Sequence, residues 1–273
     1  MNPQAKLSVC IFSDANFLAL NILENLLSRN CFINIITEDV NNWRDKTMHL
    51  SIKSKFNILD IKNFAFDNHY DYAIFCGGFV NSTEAYAEYT GFISLPDINA
   101  AKTVVIFPFD VFDRDQVDRI KISNNTAVLF LGDLLGPRID LDSDLLIARS
   151  LSEMLWKRKL TLAVGETFYP IFIADAVRLI IKWLFSFGPY GKVVFVLGSQ
   201  VSGDTFWSDN QKLIGKLEPK YDTGRSARII PKGFETEVIN SNLGFSLAET
   251  YNWLKNNLTS RPTLSEKKNE TKK

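Results

Sequence analysis

The side chains able to do chemistry in this 273-residue sequence cluster just after its apolar runs. Ser13-Asp14-Ala15-Asn16 lies between the apolar stretch Leu7–Phe12 and the helical pattern Phe17–Leu27. A turn entering a helix offers unpaired N–H groups and the positive end of the helix dipole, which together can hold a phosphate. A carboxylate at Asp14 competes for that role, because it satisfies the same groups itself. Glu38 and Asp39 follow the run Phe32–Thr37, about 25 residues after Ser13. An acid there can accept a hydrogen bond from a ribose hydroxyl, or it can simply be a solvated turn. Asp60 carries the same pair of readings. Cys76-Gly77-Gly78 is a step of small residues that lets backbone come close to a ligand. Asp110, Asp113 and Asp115 crowd one loop, read mainly as a solvated turn, with a carboxylate base as the alternative.

Other chemistries are excluded by spacing. The only histidines are His49 and His69, and there is no G-x-S-x-G nucleophile elbow. Cys10, Cys31 and Cys76 lie far apart in apolar stretches, so no zinc set assembles, no metal is expected, and the thiols read as small hydrophobes. Gly188-Pro189-Tyr190-Gly191-Lys192 lacks the glycine spacing and following hydroxyl of a phosphate-binding P-loop. Trp156, Trp183, Trp207 and Trp253 are expected in core or subunit packing.

The elements that must position these residues alternate. The run Leu7–Phe12, the helix Phe17–Leu27 and the run Phe32–Thr37 make a strand–helix–strand unit of about thirty residues. Leu18, Ile22 and Leu26 repeat at helical spacing in it. Strands follow at Phe56–Leu59, Tyr72–Phe75, Thr103–Phe107, Thr126–Leu131 and Val193–Leu197, with helices expected over Ser82–Gly91, Leu145–Arg158, Ile173–Phe185 and Ser246–Leu258. Apolar strands alternating with helices predict an α/β, Rossmann-type, doubly wound parallel sheet with helices on both faces, and the more helical second half is expected to add a small C-terminal α/β lobe. One domain spans residues 1–258: a core of about 5–135 plus 165–200, and a lobe of about 136–164 and 200–258. Residues 259–273 form a polar tail too poor in apolar groups to order itself. It carries five basic and two acidic residues, so the neutral total of 31 basic and 31 acidic groups hides a mildly acidic body. That balance argues against nucleic-acid binding by bulk positive field. The apolar stretch Tyr169–Phe187 is broken by Asp175, Arg178 and Lys182, so no membrane span is expected. With no secretory signal in the N-terminal residues, a reduced, cytoplasmic protein is expected.

Taken in order, these stretches resemble the extended short-chain dehydrogenases/reductases, the NAD-dependent epimerase/dehydratase family. That family's opening T-G-G-x-G-F-I-G lies over Phe12 to Ala19, with its glycines falling on Ser13, Asn16 and Ala19 and its apolar pair kept as Phe17-Leu18. Thr37-Glu38-Asp39, Ile58-Leu59-Asp60 and Cys76-Gly77-Gly78 are similar to its steps after the second, third and fourth strands. Leu131–Arg138 resembles its R-x-x-n-v-y-G-P loop, Gly165–Asp175 its r-x-f-i-h-V-x-D segment, and Leu243-Gly244-Phe245 its closing l-G-f/w. The resemblance covers residues 5 to 258 and rests on the collinear set. It implies NAD held by Ser13, Asn16, Phe17, Leu18, Glu38, Asp39, Asp60, Cys76, Gly77 and Gly78. It also implies a nucleotide or nucleotide-sugar substrate at Gly136, Pro137 and Arg138.

The departures bear on function more than the matches do. Two readings of the first turn stand: a plain cap by Ser13 or Asp14 on a helix that no longer binds phosphate, or a weakened dinucleotide site with Asn16 in a left-handed conformation. The family's catalytic Tyr-x-x-x-Lys helix, in which lysine lowers the tyrosine pKa, follows the fifth strand. Here about eighteen residues, Pro108 to Asn125, separate the fifth strand from the sixth, and none is tyrosine. The Tyr251-Asn252-Trp253-Leu254-Lys255 match lies in the final helix and is read as coincidence. The expectation is a non-catalytic pseudoenzyme that binds a nucleotide or nucleotide sugar and pairs as a homodimer or with an active relative. The alternatives are an enzyme with rebuilt catalytic residues and a purely structural interaction protein.

Overall fold

The structure is a computed structural model. It describes residues 6–50, 55–64, 69–79, 85–94, 100–120, 122–224 and 226–258. The tail 259–273 and the expected helix start at Ser82–Glu84 lie outside them.

An eight-stranded parallel sheet forms the centre. Its strands are β1 (Leu7–Ser13), β2 (Cys31–Thr37), β3 (Phe56–Asp60), β4 (Tyr70–Cys76), β5 (Ala100–Pro108), β6 (Thr126–Leu131), β11 (Lys192–Gly198) and β14 (Glu235–Ile239), in the order β14-β11-β6-β5-β4-β1-β2-β3. The order reverses between β1 and β4, the switch point at which doubly wound sheets open a ligand crevice. Residues 235–239 were expected in the lobe; instead β14 extends the sheet beside β11. Its alternating Glu-Thr-Glu-Val-Ile is the pattern of an edge strand with charged side chains.

Helices cover both faces. On one lie α1 (Phe17–Leu27) and α6 (Ile173–Phe185), the latter burying Ile173, Ala176, Val177, Ile180, Ile181 and Leu184 at helical spacing. α2 (Val40–Lys46) follows β2 and buries Trp43. On the opposite face α3 (Ala85–Ser94) contributes Phe92, and α4 (Arg114–Asp118) contributes Val117. α4 is only five residues long, so a large part of that face needs other cover. Phenylalanines supply it. Phe75, Phe107, Phe130 and Phe195 run across β4, β5, β6 and β11 with ring centroids 5.6, 5.8 and 4.9 Å apart. Phe234, from the segment before β14, closes the row 5.6 Å from Phe195. Arg114 sits over the Phe234 ring at 4.9 Å and donates to the Lys232 carbonyl.

The remaining chain builds the lobe: β7 (Asp133–Leu135), α5 (Leu146–Ser152), β8 (Lys159–Ala163), β9 (Thr167–Phe168), β10 (Pro170–Phe172), β12 (Val201–Ser202), α7 (Gly203–Ile214), β13 (Glu218–Asp222) and α8 (Leu243–Leu258). The helix expected over Leu145–Arg158 is α-helical only to Ser152. It then widens into a π-helical turn, Glu153–Lys157, that ends on left-handed Arg158. The Glu153 carboxylate accepts the Thr161 N–H at 3.0 Å and ties that turn to β8. Trp156, expected in packing, stands 63% exposed on the turn. No helix among the described residues is long and apolar enough to cross a membrane.

Candidate functional site

The first turn is closed by side chains of this chain. Asn16 caps α1, accepting the Ala19 N–H on Oδ1 at 2.9 Å, with φ −83° and ψ 167°. Neither Ser13 nor Asp14 is the cap, and Asn16 is extended rather than left-handed. An amide one residue before the helix reaches the N3 N–H in the usual way, and Asp14, two residues further back, is displaced outward. The buried Ser13 hydroxyl donates to the Cys76 carbonyl at 2.9 Å, and Asn16 Nδ2 donates to Ser13 Oγ at 2.8 Å, so the ends of β1 and β4 are stitched together. From α2, Trp43 Nε1 donates to the Ser13 carbonyl at 2.8 Å, and Lys46 Nζ, from the same helix, donates to the Ala15 carbonyl at 2.7 Å. Leu18 and Cys76 are core residues.

The other candidates divide. Asp39 caps α2 through the Asn42 N–H at 3.0 Å, and Asp60 caps the short turn Ile61–Asn63 through the Lys62 N–H at 2.9 Å. Both act as helix caps. Glu38 is exposed and lines a cleft of about 390 Å³ with Ser13, Asp14, Thr37, Cys76 and Glu88. Gly78 adopts φ 73°, which favours glycine, and its N–H donates to Glu88 Oε2 at 2.8 Å. A Cβ on Gly77 would meet that same oxygen at 2.7 Å. The small-residue step therefore faces a carboxylate of α3.

At the other half of the crevice, over the ends of β4, β5 and β6, the space shrinks to about 30 Å³ between Phe17, Phe79, Pro108, Phe109 and Gly132. That admits a water or two, at roughly 10–15 Å³ each. Ser143 Oγ donates to the Phe79 carbonyl at 2.9 Å and pins the lobe across it.

Beside this space, where β5 and β6 end, stands an arginine that no local pattern announced. Arg228 places its guanidinium between the rings of Phe109 and Phe168, 4.8 and 5.3 Å from their centroids. All five of its N–H donors are engaged. Nη1 and Nη2 grip Asp133 at 2.7 and 3.0 Å, Nη1 also reaches Asp110 at 3.0 Å, Nε reaches Glu166 at 3.2 Å, and Nη2 reaches the Thr167 carbonyl at 2.8 Å. Asp133 Oδ2 further accepts the Tyr169 N–H at 2.7 Å. Burial works against the arginine's charge, but the ion pairs with Asp133 and Asp110 outweigh it and hold the group firmly protonated.

Asp110, expected in a solvated loop, joins this cluster at its solvent edge: the residue is exposed, but only 19% of its side chain is. Burial, the largest effect, raises its pKa above 3.8; Arg228 opposes that rise and Asp133 adds to it. An acid whose pKa is raised on folding costs stability once ionised, and the cost fades as the pH falls through its folded pKa toward the ordinary value. Asp110→Asn is therefore expected to raise the melting temperature relative to the parent near pH 8, with the gap closing on acidification. Melting curves of both proteins across that range measure it. Asp113 serves as the N-cap of α4 in a capping box with Gln116.

Of the substrate candidates, Gly136 has φ 147°, and a Cβ there would meet Ile173 Cγ2 at 2.4 Å. Pro137 is half-buried behind it. Arg138 turns away from the strand ends to Glu24 of α1, at 2.5 Å. Tyr251, half of the late Tyr-x-x-x-Lys match, is buried and donates to Asn210 Oδ1 at 2.5 Å between α7 and α8. Among the described residues no three His, Cys, Asp or Glu side chains converge to hold a metal.

Sheet order and crevice define a doubly wound, Rossmann-type α/β protein. More particularly, the fold is that of the NAD-dependent epimerases and dehydratases. The UDP-glucuronic acid 4-epimerase from Bacillus cereus, solved with UDP-glucuronic acid and NAD, superposes with a TM-score of 0.63 at 15% identity, over 92% of this chain and 99% of that one. The dTDP-glucose 4,6-dehydratase from Bacillus anthracis, solved with NAD, gives 0.60 at 13% identity, over 92% and 97%. The UDP-glucose 4-epimerase from Thermotoga maritima, solved with UDP-glucose, gives 0.62 at 9% identity, over 92% and 100%. No protein-family model and no curated protein matches the sequence.

The residues present do not fit a dinucleotide extended along the crevice. The cleft at Glu38 has room for a nucleoside, but the Gly78 N–H is taken by Glu88 and the Ala19 N–H by Asn16. The half beyond Gly77 is filled by Phe17, Phe79 and Phe109.

Proposed function

We propose that this protein is a non-catalytic counterpart of the nucleotide-sugar epimerases and dehydratases. It keeps their framework and a nucleotide or nucleotide sugar as its class of ligand, and it has given up hydride transfer. The observation that carries this reading is the Arg228 cluster. The ends of β5 and β6 hold a fully paired arginine and three carboxylates, Asp110, Asp133 and Glu166. General acid–base work needs a group free to take or give a proton. Asp110, the best candidate for a rebuilt base, has its carboxylate on Arg228 and most of its side chain enclosed.

The ligand class draws support from the fold neighbours solved with UDP-glucuronic acid and UDP-glucose. Pairing with a second copy or with an active relative belongs to the same reading. It uses a surface other than a long helix after β5, since α4 has five residues.

The experiment is an assay of purified protein with NAD or NADP and UDP-glucose, UDP-glucuronic acid or dTDP-glucose. Nicotinamide absorbance and sugar products are both followed. No turnover is expected with any pair. Turnover that disappears in Asp110→Asn would establish a rebuilt enzyme in place of a silent one.

A further inference from the structure

A second cleft, of about 540 Å³, opens on the other side of Phe17, between α1, the end of α2, the loop Arg138–Leu141 and α8. Its size falls within the range of roughly 300–1,000 Å³ typical of small-molecule sites. Its lining combines the basic or ionisable side chains Lys46, His49 and Arg138 with the apolar Trp253, Leu254 and Leu20.

The basic side chains are held in place by neighbours. Glu24 Oε1 takes Arg138 Nη1 at 2.5 Å and meets His49 Nε2 at 3.2 Å, while Arg138 Nη2 lies 3.3 Å from the same imidazole nitrogen. Lys46 Nζ is anchored on the Ala15 carbonyl. The carboxylate among the lining residues, Asp140, accepts the Asp142 N–H on Oδ1 at 3.1 Å within its own loop. Arg138 adopts φ 71°, a left-handed conformation that is uncommon for a residue with a side chain. Backbone of this kind persists where surrounding structure over-determines it, and it gathers at ligand clamps. The Glu24 pair aims the guanidinium from that backbone at the cleft wall.

We infer that this cleft binds a nucleoside diphosphate, with the phosphates on Lys46, Arg138 and His49 and the base against Trp253. Arginine and lysine are the usual partners of phosphate, and an indole face accepts any flat base. The site rests on the nucleotide reading given above and moves the ligand away from the strand-end crevice, where three carboxylates (Asp14, Glu38 and Glu88) face the cleft.

The test is calorimetric titration and thermal shift with UDP and with inorganic pyrophosphate, on the full chain and on Arg138→Gly, Lys46→Met and Trp253→Leu. Glycine suits the φ of Arg138, so that variant removes the guanidinium without straining the loop; melting curves of the unliganded variants check this. UDP is expected to bind the parent protein and to lose at least tenfold in affinity in Arg138→Gly and Lys46→Met. Trp253→Leu should weaken UDP and leave pyrophosphate unchanged. UDP that binds all four proteins alike overturns the site while leaving the nucleotide reading standing. Pyrophosphate that binds through Arg138 and Lys46 while UDP does not bind overturns the nucleotide as occupant. A parent protein that binds neither at millimolar concentration overturns both.

Discussion

Arg228→Leu is expected to cost roughly 3–5 kcal/mol of folding stability at neutral pH, the range found when one partner of a buried ion pair is removed. The reason is what it leaves behind. Asp133 and Glu166 are almost fully enclosed and Asp110 mostly so, and each would lose its charged partner without gaining water. The leucine would also leave the space between the Phe109 and Phe168 rings poorly filled. Chemical denaturation reads the loss directly. Part of it should return on acidification, because protonated carboxyls need no cation, and a loss independent of pH would contradict this account. Arg228→Lys should fall between the two, since an ammonium offers three donors against the five used here.

Phe130→Ala is expected to cost about 3–5 kcal/mol, as large-to-small changes of a buried phenylalanine do. Phe130 is fully buried and stands at the centre of the row, in register with Phe107 on β5 and Phe195 on β11. It also meets Phe112 edge-on at 5.5 Å. Its removal would open a cavity walled by three other rings. A double-mutant cycle with Phe195→Ala should show coupling beyond additivity, because stacked aromatic pairs contribute about 0.5–1.5 kcal/mol past their area. Strict additivity would mean that the rings are neighbours without being partners.

These two expectations mark the boundary of what the sequence made legible. Strands buried on both faces read as continuous apolar runs, so β1, β2, β5, β6 and β11 were placed to within a few residues, and α1 and α6 to the residue. α8 began three residues before its expected start, taking Leu243-Gly244-Phe245 into its first turn. β14 escaped because an edge strand with exposed glutamates has no apolar run to announce it. The loss of a long helix after β5 followed from counting residues, but its replacement by Phe234 and the aromatic row did not. The Arg228 cluster was invisible for a similar reason. Its partners lie 62, 95 and 118 residues away, and nothing in Arg-Ile-Ile-Pro distinguishes that arginine from a surface one. At the first turn the helix was legible and its cap was not. Ser13, Asp14 and Asn16 are all good caps by type, and only the direction of the chain leaving β1 selects the third.

The late position of Arg228 also has a consequence for how the chain is made. Glu166 leaves the ribosome 62 residues ahead of the arginine that neutralises it. At about 5–20 residues per second that is an interval of about 3–12 s. During it the lobe can gather its strands but cannot enclose its acids, and the row of rings lacks Phe234. A chain stopped short of residue 226 would be left permanently at that stage. Completion of the fold thus waits on a segment that arrives after nearly everything it holds together.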